Sequence, residues 1–330
     1  MTYIRNFLKR ECDDLKSPDL WRAMCAEWLG LTFVTLFATG TGLYHKENPS
    51  SAPSSVNIAL EAGFMIGCLV TVFGTISGGH VNPSITMGFA VTREITLVRS
   101  VLYIAAQSFG GICGAGLLYV LTPPGMHHGS LGLIMPGKDV TDMQALGAEA
   151  VIGFFLLFGT FAVIDKGRND LQGSVPLMIG LMVSINVFFA FNISGGCMNP
   201  ARNFGPAVIT GKLDKIWLYW AGPLVGGAFG ALLYDKIFST KACRWCLGGC
   251  GPFPSPGDEE NKGNEKKEES NVTEFRTEEM KDNVYGNRPE FRTVEMKDNV
   301  YGNRPEFRTV EMTDNVYGNG PSDKIETIRL

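Results

Sequence analysis

The chain has 330 residues, of which 45% are hydrophobic and 19% are charged, and its formal net charge is −4. Charge is distributed unevenly, because 30 of the 62 charged residues lie after position 250, where the net charge is −6. The chain has no basic tract of the kind that would predict binding to nucleic acid. Its eight cysteines also lack the spacing that is typical of disulfide-bonded secreted proteins. The composition therefore indicates an apolar domain followed by a charged tail.

The first 22 residues are predicted to form a cytoplasmic segment, since they mix acidic and basic residues and lack the apolar core of a signal peptide. Six stretches follow that are long and apolar enough to cross the bilayer core, which is about 30 Å thick and takes about 20 helical residues. They cover positions 23–43, 56–76, 98–121, 145–164, 175–191 and 216–238. The sequence therefore predicts an all-α membrane protein with six transmembrane helices.

Lysine and arginine residues predict the orientation of these spans, because they concentrate in loops on the cytoplasmic side. Most of them lie before the first span and in every second connection after it, whereas the opposite side carries four lysines. Both termini are therefore predicted to be cytoplasmic, with the loops 44–55 and 122–144 outside.

An internal repeat relates the two halves of the apolar domain. The sequence SGGHVNP at 77–83 returns as SGGCMNP at 194–200, and Ala26-Glu27 returns as Ala148-Glu149. Each half contains three spans, an odd number, so the two copies must cross the membrane in opposite orientations. The chain is therefore predicted to be an inverted repeat.

Each half also contains a segment too short to span, at 83–92 and 200–210, and each follows an asparagine and begins with proline. Proline suits the first helical position and asparagine is a good N-cap, so both segments are predicted to be helices of about 15 Å. Entering from opposite faces, they would meet near the midplane with the positive ends of their dipoles together. Non-helical backbone is tolerated at that depth only where protein buries it or water lines it, and loops that form one wall of a polar path predict a pore.

These features resemble the aquaporin, or major intrinsic protein, family over approximately positions 20–240. The resemblance rests on the two Asn-Pro boxes and on further matching positions. The boxes comprise Asn82, Pro83, Ser84, Asn199, Pro200 and Ala201, and the further positions include Glu27, His80, Gln107, Glu149 and Arg202. The resemblance implies a channel domain at 23–240, with six helices and two re-entrant half-helices, assembled as a homotetramer in the plasma membrane. It implies neither enzyme activity nor a cofactor.

The resemblance also assigns roles to these residues. Asn82 and Asn199 match residues that donate amide hydrogens to the permeating oxygen, and Arg202 matches the arginine of the outer filter. The residues that match loop supports are Glu27, His80, Gln107 and Glu149. The structural alternatives are asparagines that only cap helices, an arginine paired with one of these glutamates, and a serine at position 84 that is a tolerated small residue.

The filter positions depart from the family's water-selective pattern. Counting back from the two boxes gives Ala62, Val187 and Gly196, and the matching arginine after the second box is Arg202. Alanine and valine replace the aromatic ring and the histidine of strict water channels, which removes bulk and a polar donor at the narrowest point. We therefore predict a passive channel for water and small uncharged solutes such as glycerol and urea, which excludes ions and protons.

Other observations favour a strictly water-selective aquaporin. The boxes are 117 residues apart, the short spacing of water channels, and Asn203 stands where glycerol facilitators usually have aspartate. Phe64 would also fill the gap beside Ala62 if the helix were rotated. A secondary transporter is a further alternative, but it needs a coupling-ion site, and no acidic residue is expected near the half-helices. A membrane scaffold that acts through its tail is the third alternative.

Residues 241–330 are predicted to form a cytoplasmic tail with three 16-residue repeats at 274–321, in which few apolar residues and regular prolines predict disorder. Its first cysteines are candidates for palmitoylation, with unmodified thiols as the alternative. Its repeat tyrosines would bind a cytoplasmic adaptor if phosphorylated, with a neutral repeat expansion as the alternative. These residues are Cys243, Cys246, Cys250, Tyr285, Tyr301 and Tyr317. The adjacent His127 and His128 lack a cysteine or acidic neighbour and predict no metal site.

Overall fold

The computed structural model describes residues 2–45, 47–168, 170 and 173–242, and residues 291–297, 306–311 and 324–327 of the tail. The chain divides into two units, Met1–Pro256 and Gly257–Leu330. In the first unit the described residues form helices and no strand, which confirms the predicted all-α class of the membrane domain.

The first unit contains nine α-helices among its described residues. They are α1 (Thr2–Leu15), α2 (Pro18–Gly40), α3 (Ser55–Ser77), α4 (Pro83–Val91), α5 (Leu97–Leu121), α6 (Asp142–Val163), α7 (Val175–Ala190), α8 (Pro200–Thr210) and α9 (Ile216–Leu233). A π-helical turn, Tyr234–Phe238, extends α9, and 3-10 turns occupy Pro49–Ser51 and Pro124–Met126. Five of the described helices, α2, α3, α5, α6 and the extended α9, are long and apolar enough to cross a membrane. The remaining predicted span is α7, an apolar helix of 16 residues, and α4 and α8 are the half-helices.

Side-chain caps fix where the spans begin. Five capping residues each accept a hydrogen bond from a backbone N–H in the first turn of the helix that follows. They are Ser17, Ser54, Thr96, Thr141 and Ser174. The cap at Ser17 starts α2 at Pro18, ahead of the predicted start at position 23, because a search for apolar residues misses a polar first turn.

The helix α1 corrects the sequence analysis, which assigned no helix to the first 22 residues. It is amphipathic rather than apolar, so a search for spans does not detect it. Asp14 pairs with Arg99 (Oδ1 to Nη2, 2.5 Å), and Glu11 accepts a hydrogen bond from the N–H of Val98 (2.8 Å). Burial raises the pKa of the Asp14 carboxyl, but hydrogen bonds from Arg99 and Thr96 outweigh burial and hold the pKa below its usual value.

Basic residues from separate connections meet at one end of the bundle, as the orientation prediction requires. Arg10 of α1 donates to the carbonyl of Arg93 (3.2 Å), and Lys241 lies 3.4 Å from Glu94. The three segments that supply them therefore share one side of the membrane. That this side faces the cytoplasm stays a prediction.

Helix packing confirms the predicted inverted repeat. The helix α2 packs on α5 as α6 packs on α9, and α3 packs on α7 between the halves. The approach is close because of glycine at matching positions: a side chain at Gly110 would collide with the carbonyl of Trp28, and one at Gly226 with the carbonyl of Ala150. Each half-helix packs on a helix of the other repeat: α4 packs on α9, and α8 packs on α5. Each half-helix is therefore held by the opposite half of the domain.

The second unit contains three described strands, β1 (Phe291–Lys297), β2 (Glu306–Glu311) and β3 (Lys324–Thr327). They form an antiparallel sheet in the order β1-β2-β3. Both β1 and β2 contain the Phe-Arg-Thr-Val-Glu run of a repeat, whose aromatic and β-branched residues favour strands. Sequence reasoning expected no regular structure at these residues. The rest of the tail, for which disorder is predicted, lies outside the described residues.

Candidate functional site

Two loops, 78–82 and 195–199, lead into the half-helices α4 and α8 and follow the same backbone course. Each begins with two glycines at positive φ. Each then places a residue with a side chain, Val81 (φ 39°) or Met198 (φ 54°), at positive φ just before the asparagine. Positive φ is unfavourable for such residues and most unfavourable for a β-branched one. The loops therefore need strong contacts to hold them in this conformation.

Glu27 of α2 provides those contacts for the first loop. Its Oε1 accepts hydrogen bonds from Ser77 Oγ (2.6 Å) and from the N–H of His80 (2.9 Å). Its Oε2 accepts hydrogen bonds from the N–H of Val81 (2.6 Å) and from Gln107 Nε2 (2.7 Å). Hydrogen bonds to a carboxylate are stronger than neutral ones, and this side chain is fully buried. The predicted support residue thus binds the strained position directly.

Glu149 of α6 repeats this arrangement in the second half. Its Oε1 accepts hydrogen bonds from Ser194 Oγ (2.6 Å) and from the N–H of Cys197 (2.9 Å), and its Oε2 accepts one from the N–H of Met198 (2.8 Å). The side chain is fully buried as well. The two strained loops are therefore supported by equivalent carboxylates on equivalent helices.

Two tyrosines complete the support, and sequence reasoning did not assign them this role. The Tyr103 hydroxyl donates to the carbonyl of Ser77 (3.0 Å), and the Tyr219 hydroxyl donates to the carbonyl of Ser194 (2.8 Å). Both side chains are fully buried. Their recurrence after 116 residues was the signal in the sequence that would have identified them.

His80 and Gln107 meet at Thr86 of α4. His80 Nδ1 lies 3.2 Å from Thr86 Oγ1, and Gln107 Nε2 donates to the same oxygen (2.9 Å). The Thr86 hydroxyl donates in turn to the carbonyl of Asn82 (3.1 Å). These bonds connect the loop to the first turn of the half-helix and to α5.

Asn82 and Asn199 cap their half-helices and also bind each other's loops. The side-chain oxygen of Asn82 accepts the N–H of Ser84 (2.8 Å), and that of Asn199 accepts the N–H of Arg202 (3.2 Å). Asn82 Nδ2 donates to the carbonyl of Met198 (3.1 Å), and Asn199 Nδ2 donates to the carbonyl of Val81 (2.8 Å). A carboxamide nitrogen has two hydrogens, so each asparagine retains one N–H beyond this bond. Capping and donation to a solute are therefore compatible.

The residues that follow the two prolines anchor each half-helix in the opposite half. Ser84 is fully buried, and its hydroxyl donates to the carbonyl of Pro223 on α9 (2.6 Å). Ala201 is fully buried against α5, where a side chain at Gly111 would collide with its carbonyl. Ser84 therefore makes a specific hydrogen bond across the repeat.

A cavity of about 440 Å³ runs along the loops. At one end it is lined by Ala38 and Ile58, near the end of α2 and the start of α3, and at the other by Ile164 and Val175, between α6 and α7. The loops and half-helices contribute the polar residues His80, Asn82, Asn199 and Arg202, and α3 and α6 contribute Glu61, Thr71, Thr75 and Thr160. The facing wall consists mostly of apolar side chains of α3, α6 and α7. One wall of the cavity is thus mostly apolar, opposite the loops and half-helices that carry the two asparagines and Arg202.

The four predicted filter residues all line this cavity. Gly196 has a φ of 68°, and a Cβ there would lie 3.0 Å from the Cα of Val187, so this position has little room for a side chain. Phe64 does not fill the space beside Ala62, because its side chain lies on the outer surface of α3 and is 58% exposed. The suggestion that Phe64 closes the filter is therefore wrong, since the cavity face of α3 runs through Ile58 and Ala62.

Arg202 is held by backbone carbonyls rather than by a loop-supporting glutamate. Its Nη1 donates to the carbonyl of Gly132 (3.1 Å) and its Nη2 to the carbonyl of Ala38 (3.4 Å). The neighbouring Asn203 binds both the N–H (2.8 Å) and the carbonyl (3.1 Å) of Ile134. The structural alternative, a pairing of Arg202 with Glu27 or Glu149, is not formed.

Three glutamates correct the expectation that no acidic residue lies near the half-helices: Glu27 and Glu149 bind the loops that lead into them, and Glu61 lies in the cavity. Glu61 lines the cavity beside Ala62, at the end marked by Ala38 and Ile58. Its two carboxyl oxygens are shielded and have no hydrogen-bond partner in the described part of the chain. Sequence reasoning missed Glu61 because it searched near the Asn-Pro boxes along the chain. No local signal in the sequence shows this position, because the face of α3 that lines the cavity is set by how the helix packs.

Cys197 belongs to the Glu149 network, whereas the other positions singled out in the sequence lie apart from it or outside the described residues. Cys197 is buried at the cavity, and its thiol donates to the carbonyl of Asn199 (3.1 Å). His127 binds the hydroxyl of Thr122 (2.9 Å), and His128 binds the carbonyl of Tyr44 (2.6 Å). Both histidines thus hold loops. The tail residues Cys243, Cys246, Cys250, Tyr285, Tyr301 and Tyr317 lie outside the described residues.

Comparison with known proteins gives consistent matches. A family model described as major intrinsic protein matches residues 14–234. Aquaporin-4 of Homo sapiens is 42% identical over 219 residues, which cover 66% of this chain and 68% of that protein. The lens fiber major intrinsic protein of Rattus norvegicus is 36% identical over 255 residues, which cover 76% of this chain and 95% of that protein.

A solved structure shares the fold. The X-ray structure of the aquaglyceroporin from Plasmodium falciparum superposes with a TM-score of 0.57 at 20% sequence identity. The match covers 66% of this chain and 96% of that chain. The matched part of the chain therefore has the same fold.

Proposed function

The chain belongs to the major intrinsic protein family of aquaporin channels, and from that premise we propose that it conducts water and small uncharged solutes such as glycerol and urea. The observation that carries this proposal is the cavity that passes both Asn-Pro boxes and is lined by Ala62 and Val187 at the filter positions. Movement through it is passive and follows the concentration gradient. The family is one of channels rather than enzymes.

The geometry supports conduction of uncharged solutes with exclusion of ions and protons. Asn82 and Asn199 each retain an N–H for a permeating oxygen, and the helix N-termini beneath them add positive potential. An oxygen that accepts from both sides cannot also continue a chain of proton transfers, and the positive potential repels cations. Arg202 adds a fixed positive charge at the filter.

The filter composition supports the passage of solutes larger than water. Ala62 and Val187 leave an apolar wall that suits the carbon face of a polyol, and Arg202 donates hydrogen bonds to its oxygens. A strictly water-selective channel is the alternative. It is favoured by the spacing of 117 residues between the boxes and by Asn203, which stands where glycerol facilitators usually have aspartate.

The protein is an integral, multi-pass membrane protein, and we place it in the plasma membrane as a homotetramer with both termini in the cytoplasm. The contacts of Arg10 with Arg93 and of Lys241 with Glu94 support the orientation, because they gather basic segments on one side. The tail would then be accessible to a cytoplasmic adaptor. Enzymatic digestion of intact cells from outside tests the orientation: the tail stays protected if it is cytoplasmic.

Flux measurements test the solute range. Cells that express the chain are expected to swell faster in dilute medium and to take up labelled glycerol and urea without saturation. Swelling without uptake of either solute would establish the water-selective alternative. Saturable uptake coupled to an ion gradient would establish a secondary transporter instead.

A further inference from the structure

We propose that Glu61 is a filter residue which, together with Arg202, binds the solute from two sides. The carboxylate accepts hydrogen bonds from the hydroxyl or amide hydrogens of the solute, and the guanidinium donates to its oxygen. This inference rests on the proposed function, because it names the groups that admit polyols and amides.

The placement of Glu61 is the first argument. Glu61 lines the cavity next to Ala62, at the end where Ala38 is also a lining residue. The carbonyl of Ala38 accepts a hydrogen bond from Arg202 Nη2 (3.4 Å), so the guanidinium lies at the same end. The Glu61 carboxyl and the Arg202 guanidinium therefore line the same part of the cavity. The described residues contain no ion pair within 4.0 Å between them, so the two groups do not neutralise each other by direct contact.

The unused bonding capacity of both groups is the second argument. Glu27 accepts four hydrogen bonds and Glu149 accepts three, whereas neither oxygen of Glu61 accepts one from the described part of the chain. A charged side chain inside the membrane is unfavourable, and such residues usually face a bundle interior or a polar path. Arg202 has five N–H groups, of which only some are engaged by carbonyls. Glu61 therefore has no hydrogen-bond partner among the described residues and lies in the proposed path of the solute.

The chemistry of the pair defines the solutes it suits. A carboxylate only accepts and a guanidinium only donates, so the pair matches a molecule that presents a donor and an acceptor on neighbouring atoms. Vicinal diols and urea do this. Such a solute loses several bound waters when it enters a narrow path, so replacement bonds matter more for it than for a single water.

Two substitutions at position 61 test the proposal in expressing cells. Glu61→Leu has similar size but no polar atom, and Glu61→Gln keeps an acceptor oxygen. Phe64→Leu, on the outer surface of the same helix, is the matched control. Uptake of labelled glycerol and urea is measured beside osmotic swelling in the same cells, with each value divided by the protein at the cell surface.

Loss of a hydrogen bond to a charged group predicts that Glu61→Leu lowers glycerol and urea uptake about tenfold, while swelling falls less than about threefold. Glu61→Gln should keep uptake within about threefold of the unchanged protein, and Phe64→Leu should change neither measurement. If Glu61→Leu does not reach the surface, Glu61→Met provides the same apolar test.

Two results would overturn the inference while leaving the proposed function intact. One is unchanged glycerol uptake in the apolar variant, and the other is an equal loss of uptake and swelling, which would make Glu61 a structural residue. If the unchanged protein itself admits neither glycerol nor urea, the proposed solute range fails, and the inference fails with it.

Discussion

The support of the second pore loop by Glu149 can be tested by Glu149→Gln, which keeps the size of the side chain and removes its charge. If the amide oxygen takes the place of Oε1, it still accepts hydrogen bonds from Ser194 and from the N–H of Cys197. The amide nitrogen then faces the N–H of Met198, a donor against a donor, at the residue whose φ is 54°. The strained position is therefore the one that loses its partner.

The expected magnitude follows from these bonds. Two hydrogen bonds weaken by about 1 kcal/mol each when the acceptor becomes neutral, and a buried N–H without a partner costs about 1–3 kcal/mol. Relief from burying a charge offsets part of that sum, so we expect a net loss of about 2 kcal/mol in the free energy of unfolding. For a domain of this size, that corresponds to a fall in Tm of about 4–8 °C.

Thermal unfolding of the purified protein in detergent measures this change, and osmotic swelling measures its effect on the pore. Asp170→Asn is the matched control, because it is the same change on an exposed loop residue. We expect lower Tm and reduced swelling for Glu149→Gln and neither effect for the control. An unchanged Tm with normal swelling would refute the view that the carboxylate holds the loop.

Three further outcomes are expected. Ala62→Phe combined with Val187→His should abolish glycerol uptake while swelling continues, because the pair restores bulk and a polar donor at the filter; uptake that persists would place the narrowest point elsewhere. Ser84→Ala should lower the free energy of unfolding by about 1 kcal/mol through loss of the bond to the Pro223 carbonyl, read as a small fall in Tm with normal swelling. The contact of α1 with α5 should weaken in acid, because the pKa of Asp14 is lower in the folded protein than in the unfolded chain. The contribution of Asp14 to the free energy of unfolding is complete above its unfolded pKa of about 3.9 and is lost as the pH falls through the lower, folded pKa. Asp14→Asn should remove this dependence when Tm is followed against pH, and an unaltered dependence would refute the assignment.

Local patterns in the sequence were sufficient to predict the membrane spans and half-helices. Proline at the first position and asparagine before it predicted half-helices at 83–92 and 200–210, and the structure has Pro83–Val91 and Pro200–Thr210. These signals lie within a few residues of the boundary they define. The helix α1 was missed because its apolar residues are spaced for one face, which a search for continuous apolar runs ignores.

Contacts between distant segments were harder to predict. Ser84 binds a carbonyl 139 positions away, and no feature near it in the chain indicates this partner. Glu61 was missed for a related reason, since its place in the cavity depends on the rotation of α3 about its own axis. Whether a side chain faces lipid or the cavity is decided by how the helices pack. A shift of one residue along a helix turns the direction of the side chain by about 100° around the helix axis.

The crossed bonds between the asparagines and the opposite loops have a consequence for motion. Asn82 donates a hydrogen bond to the carbonyl of Met198, and Asn199 donates one to the carbonyl of Val81. These two bonds connect the two halves of the repeat at their centre. Many proteins built from inverted repeats work by rocking one half against the other, which opens the binding site to each side in turn. Here a rotation of one half against the other would break both hydrogen bonds at once. The helical domain is therefore suited to a channel whose two halves keep a fixed relative position, rather than to a transporter whose halves move.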